Sequence, residues 1–257
     1  MKLKKVILCF LALCILVCTC GCALGLEEIE RDGVEYEKHN NRTAKYLKVA
    51  SVGCGYEVPD TVYIPDEIDG IPVIGVGFKQ WGGPTAKIWG AKRVYFPWSI
   101  EYSPIGNIGY TSEVKYIISA STEILVDIDE DLVYIIPLLL YNKSDKYCLN
   151  TNPFRKIDLK EQSNIYPANV AYFFNYEGNP NEGYFFVDWL GTTGRLTKPP
   201  YSPKREGYKF VGWYKEAECL NVWDFENDIA EEPKTTFDKY GNIIFNEFRL
   251  YAKWEKK

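Results

Sequence analysis

The chain has 257 residues, 46% of them apolar and 25% charged, which excludes a disordered or collagen-like protein and leaves room for one large domain or two ordinary ones. A net charge of −5 gives no basic face for nucleic acid. Aromatic residues reach 16%, and the 20 Tyr, 13 Phe and 7 Trp favour pleated, half-buried β-surface over helix.

Lys2, Lys4 and Lys5 precede an unbroken apolar run from Val6 to Val17, the charged and apolar regions of a secretory signal over residues 1–21. An uncleaved membrane anchor is the alternative, because weakly apolar character continues to Leu26 and just reaches bilayer thickness. Five of the eight cysteines fall in this segment. Val17-Cys-Thr-Cys-Gly-Cys22 resembles a bacterial lipobox, in which a small residue precedes the cysteine that is lipidated. Cys22, preceded by Gly21, is the expected lipid attachment; Cys20 and plain secretion stay open. Two acyl chains on one cysteine suffice for stable anchoring to the outer face of the membrane. Losing the three lysines with the leader leaves 27 cationic against 35 acidic residues, a net charge of −8. Cys54, Cys148 and Cys219 remain, an odd number with neither zinc nor disulfide-framework spacing.

Residues 22–44 are charged and polar, clustered at Glu27, Glu28, Glu30, Arg31 and Asp32, and read as a tether. From Tyr46 onward short apolar runs alternate with Gly, Pro, Asp and Asn, and no stretch holds a helical period for three turns. The chain is expected to be mainly β. Over residues 45–165 one short strand recurs: Val62-Tyr-Ile-Pro65, Val94-Tyr-Phe-Pro97, Lys115-Tyr-Ile-Ile118 and Val133-Tyr-Ile-Ile-Pro137. Their tyrosines, Tyr63, Tyr95, Tyr116 and Tyr134, lie 32, 21 and 18 residues apart, a range that suits solenoid coils sharing one sheet. Tyr46 to Tyr56 followed by Val62-Tyr-Ile-Pro-Asp-Glu-Ile-Asp-Gly-Ile-Pro-Val73 resembles the opening of BspA-like leucine-rich repeats. That resemblance covers about 45–140 and implies a short, degenerate solenoid. It departs from the family where Gln80-Trp81 and Gly109-Tyr110 replace Ala-Phe.

Over 166–257 the order Leu196-Thr-Lys-Pro-Pro200, Arg205-Glu-Gly-Tyr-Lys-Phe-Val-Gly-Trp-Tyr214, Trp223-Asp-Phe225 and Leu250-Tyr-Ala-Lys-Trp254 resembles one Listeria–Bacteroides repeat, the B repeat of internalin-type surface proteins. The resemblance implies a small β-grasp-like fold, with Thr235 to Asn246 as an insertion. The residues agree with it: Val170, Tyr172 and Phe174 alternate with Ala171, Phe173 and Asn175, as a two-sided strand requires. Tyr208, Phe210 and Gly212 are expected on one face, as are Phe248, Leu250, Ala252 and Trp254. Trp213, Trp223 and Trp254 are expected in or beside the core.

Candidate chemistry is sparse. His39 is the single histidine and lies in the expected tether without a nucleophile partner. Asp127-Ile-Asp-Glu-Asp131 has carboxylates for Ca²⁺, but Leu132 and Leu138 stand where an EF-hand needs Gly and Glu. No P-loop, Rossmann fingerprint, G-x-S-x-G or H-E-x-x-H occurs. Neither a catalytic residue, a metal site nor a cofactor is expected, and the chain is expected not to be an enzyme. The densest aromatic patch is Trp81, Trp89, Tyr95, Trp98 and Tyr102, and its first four members are the candidate ligand-binding residues. The expected protein is a non-enzymatic, lipid-anchored envelope protein that binds a glycan or a host or cell-surface protein for adhesion. A structural spacer without a ligand is the alternative; an enzyme acting on envelope polysaccharide comes last.

Overall fold

A computed structural model describes residues 27–40, 44–53, 55–77, 86–101, 108–111, 113–122, 131–143, 159 and 163–257. The strands, in chain order, are β1 (Glu27–Arg31), β2 (Val34–Asn40), β3 (Lys45–Val52), β4 (Thr61–Tyr63), β5 (Glu67–Ile68) and β6 (Ile71–Val76). Then come β7 (Ala86–Ile88), β8 (Arg93–Phe96), β9 (Ile108–Thr111), β10 (Tyr116–Ser119), β11 (Val133–Ile136) and β12 (Ile165–Pro167). The last six are β13 (Val170–Phe173), β14 (Tyr184–Asp188), β15 (Tyr208–Tyr214), β16 (Thr236–Phe237), β17 (Ile243–Ile244) and β18 (Phe248–Lys256). One short helix, α1 (Leu138–Asn142), follows β11. The chain is mainly β.

The expected tether is, over Glu27 to Asn40, an antiparallel hairpin. Its turn is Asp32-Gly33, both with positive φ (54° and 77°), the two-residue geometry that suits the twist of paired strands. Val34 and Tyr36 of β2 are buried, and the charged cluster Glu27, Glu28, Glu30 and Arg31 lies on β1, the exposed edge strand of this sheet, rather than on a linker. β2 pairs with β3, which runs parallel to β6 over its first half and to β7 over its second; β7 in turn pairs with β9.

The recurring strands build a second sheet, entirely parallel, in which β4, β8, β10, β11 and β12 lie side by side in chain order. Its inward row is Val62, Val94, Ile117, Tyr134 and Ile165, all buried in one core with Leu47, Val73 and Ile88. Its outward row is Tyr63, Tyr95, Ile118, Ile135 and Tyr166. The four tyrosines therefore do not form one column. Tyr95 lies opposite Ile118, and Tyr134 lies opposite Ile117 and points inward, because a one-residue change of register exchanges the faces of a strand. The fifth strand, Ile165–Pro167, belongs to this sheet, so the junction between modules falls at Ala168–Asn169 instead of before residue 166.

The C-terminal module is a four-stranded mixed sheet, ordered β14-β13-β18-β15, with β13 and β18 parallel at its centre. One face packs Val170, Tyr172, Phe174, Trp213, Trp223, Leu250 and Ala252 into a core. Trp254 borders it, its indole Nε1 donating to the Phe174 carbonyl at 2.6 Å. The expected face of β15 breaks at a bulge: Phe210 is followed on the core side by Trp213, not Gly212, at a ring distance of 5.2 Å. The segment expected as an insertion forms the separate β16–β17 hairpin.

The other face of this sheet is partly covered by the parallel sheet. Ala171, Tyr184 and Val187 are buried against Tyr95, Ile118 and Ile135 of the parallel sheet. Asn181, with φ 52°, locks the contact: its Oδ1 accepts from both the amide and hydroxyl of Thr122 at 2.7 Å, and its Nδ2 donates to the Ala120 carbonyl at 2.7 Å. Tyr201 donates to the Tyr63 carbonyl at 2.9 Å, and Phe245 meets Tyr141 edge-on at 5.5 Å. The two modules form one docked body.

Glu247 gives the docked body a pH dependence. Its side chain is sealed, accepting from the Tyr184 hydroxyl at 3.0 Å and paired with Arg249 at 3.0 Å. Burial raises its carboxyl above the ordinary value of 4.5, with Arg249 and the Tyr184 hydrogen bond pulling it back. A folded-state value above the unfolded one means that the folded chain binds the extra proton. This contribution is complete below the unfolded value and is lost as pH rises through the folded one. Glu247→Gln is therefore expected to flatten the fall in stability between acid and neutral pH, read as urea midpoints at each pH. An unchanged slope would dismiss Glu247 as its source.

Candidate ligand-binding cleft

Of the expected ligand-binding residues, Trp81 lies outside the described residues, as do Cys22 and the rest of 1–26. The other three do not share a surface. Trp89 follows β7 and is 37% exposed. Tyr95 is buried, stacked between Tyr63 at 4.6 Å and Phe186 at 5.3 Å, with its hydroxyl donating to Asp188 Oδ1 at 2.7 Å. Burial first, then the neighbouring Asp188 carboxylate, raises its phenol well above the ordinary range, so it stays a protonated donor. Trp98 is half-buried, donating from Nε1 to Asp66 Oδ2 at 3.1 Å and meeting Phe174 edge-on at 5.2 Å. Tyr95 and Trp98 are thus seam residues between the modules, because the outward face of the parallel sheet is covered where a lone solenoid would leave it bare.

His39 also moves from the expected tether into β2, stacked on Tyr46 at 5.0 Å with Nε2 3.1 Å from the buried Glu37 carboxylate. Asp127 to Glu130 lie outside the described residues. Among the described residues no group of three or more His, Cys, Asp or Glu is placed to hold a metal ion, and no helix is long and apolar enough to cross a membrane.

The C-terminal module covers only part of the outward face. Where it stops, a cleft of about 470 Å³ remains, within the range of small-ligand sites. Arg93, Tyr95, Tyr116, Ile118, Val133, Ile135 and Tyr166 of the parallel sheet make its floor, so the expected ligand-binding residue Tyr95 borders the cleft from the seam. Asp188, Trp189, Arg195 and Thr197 make the opposite wall, so neither module forms it alone. Tyr166 on β12 and Trp189, directly after β14, are 42% and 45% exposed and meet edge-to-face at 6.1 Å across the cleft. The Trp189 amide donates to Asp188 Oδ1 at 2.8 Å, the oxygen that Tyr95 also uses, which ties the wall to the seam. Sequence reasoning did not single out these two residues. Ile165-Tyr166-Pro167 repeats the strand pattern of Val62-Tyr-Ile-Pro65 and signals Tyr166; nothing local marks Trp189, whose exposure depends on docking.

Residues 174–253 match the Listeria-Bacteroides repeat domain. β13, which opens at Val170 just before the matched residues, supplies a central strand of the same module. Two proteins of Evansella cellulosilytica are similar over short stretches. One, named "Putative membrane protein", is 33% identical over 61 residues, 24% of this chain and 7% of that protein. The other, named "Putative Gly-rich membrane protein", is 32% identical over 60 residues, 23% of this chain and 5% of that protein. The chain thus spans only a small fraction of the length of these relatives. No solved structure matches it.

Proposed function

We propose that this chain is a non-enzymatic protein of the bacterial cell envelope that binds a surface ligand, glycan or protein, in the cleft between its two modules. The carrying observation is the exposed Tyr166–Trp189 pair across a cleft that both modules must build. A Listeria-Bacteroides repeat, found in surface proteins, and relatives named as membrane proteins support the envelope setting. The all-parallel sheet with strands in chain order supports a degenerate solenoid of BspA-like kind. Anchoring is assigned to a lipid on Cys22. Palmitate labelling lost in Cys22→Ala supports that residue; labelling that survives moves the lipid to Cys20.

The binding test is a screen of the full chain in detergent against glycans, cell-wall material and extracellular-matrix proteins. Trp189→Ala should weaken a saturable hit by about tenfold or more, roughly 1.4 kcal/mol, with the unfolding transition unchanged. Trp89→Ala should leave that hit intact. The reverse pattern would overturn the assignment of the cleft. The spacer reading is favoured by one observation, the sealed seam around Tyr95 and Asn181, and silence across the whole screen would select it.

A further inference from the structure

We propose that the ligand of the cleft is a carboxylated saccharide, an inference that rests on the binding role proposed above. Arg93 on β8 and Arg195 beyond β14 bring one guanidinium from each module to the lining, and both side chains are exposed. Arg93 stands over the Tyr116 ring at 5.1 Å, and Arg195 is held in place by donating to the Glu226 carbonyl. Asp188 is the single acid of the lining, so the cleft carries a charge of +1 in a chain of net charge −5. Such a local reversal concentrates anions in the cleft against the net charge of the chain.

Asp188 also supplies the complementary group. Only 8% of it is exposed, and its Oδ1 is taken by the Tyr95 hydroxyl and the Trp189 amide. Among the described residues Oδ2 has no hydrogen bond, nor is it a sealed, unpaired atom; it is the acceptor that the cleft presents. The lining therefore offers aromatic faces for apolar C–H surface, guanidiniums for a carboxylate and a carboxylate for hydroxyl donors. An acidic sugar carries all three. An extended peptide fits less well, because the floor presents the side-chain face of the sheet, whereas strand addition would use backbone groups at its β12 or β4 edge.

Isothermal titration of the full chain with trigalacturonate, a hyaluronan tetrasaccharide and sialyllactose, each beside its methyl ester, tests the class. The acid should bind about tenfold more tightly than its ester, and the difference should shrink as salt rises from about 0.05 to about 0.5 M. The double variant R93Q/R195Q should lose that preference, acid and ester then binding equally, with its unfolding transition unchanged. Equal binding of acid and ester, both lost in Trp189→Ala, would overturn the acidic class and leave the cleft as a binding site. A glutamate-rich peptide that binds as tightly as the sugars would overturn the saccharide. Silence towards every probe, in a folded chain that also fails the wider screen, would overturn both this proposal and the binding role.

Discussion

Replacing Tyr172 by alanine is expected to destabilise the Listeria-Bacteroides repeat by about 3–5 kcal/mol, the usual consequence of removing a large buried aromatic. Tyr172 is fully buried at the centre of β13. Its ring meets Trp213 edge-on at 5.1 Å and Phe186 at 5.4 Å, and lies parallel to Phe225 at 6.4 Å. Its hydroxyl donates to the Thr197 carbonyl at 2.6 Å, which fixes the loop carrying Arg195 against the core. Truncation would open a cavity between three aromatic partners and leave that carbonyl without its donor. Urea unfolding followed by tryptophan fluorescence reads the loss, since Trp213 touches the removed ring. Tyr172→Phe separates the two contributions and should cost about 0.5–1.5 kcal/mol, the net value of one hydrogen bond. A loss below about 1 kcal/mol in the alanine variant would mean that the core does not close around Tyr172.

Alternation along single strands made much of this architecture legible. Val62, Val94, Ile117 and Ile165 are apolar at inward positions, and Val170, Tyr172 and Phe174 stand on one face as their spacing requires. The β1–β2 hairpin was equally legible: Asp32-Gly33 between alternating residues is a strong hairpin signal, and the density of charge around it suggested a tether instead. Asp69-Gly70 makes the same turn between β5 and β6. Register was not legible, because the Tyr-Ile-Ile segments of β10 and β11 are apolar at consecutive positions and offer either face to the core. Nor was docking. The outward residues Tyr95, Ile118 and Ile135 are as apolar as the inward ones, which says that something covers them but not what. For that reason the aromatic patch around Trp89 reads as a surface from its sequence, although Tyr95 and Trp98 belong to the seam. The cleft is a product of docking, so Trp189 carried no signal of its own.

One residue before Tyr172, the same strand predicts a different outcome. Ala171→Glu is expected to leave the repeat folded and to separate the two modules. Ala171 is fully buried on the opposite face of β13, in the cluster formed with Tyr95, Ile118 and Ile135. An unpaired carboxylate there carries a penalty of several kcal/mol, more than any single hydrogen bond across the seam returns. The repeat avoids that penalty by undocking, since its own core lies on the Tyr172 side of the strand. Undocked chains should bind a hydrophobic dye through the bared outward row and should be cut by protease at Ala168–Asn169, while Trp213 keeps its native emission. Ala171→Ser, small and able to find a partner, should stay docked. Ligand binding decides what the docking is for. Floor and wall of the cleft stand on different modules, so a separated chain must lose any ligand held between Tyr166 and Trp189. Binding that survives separation would place the ligand on one module alone and reduce the seam to a structural contact.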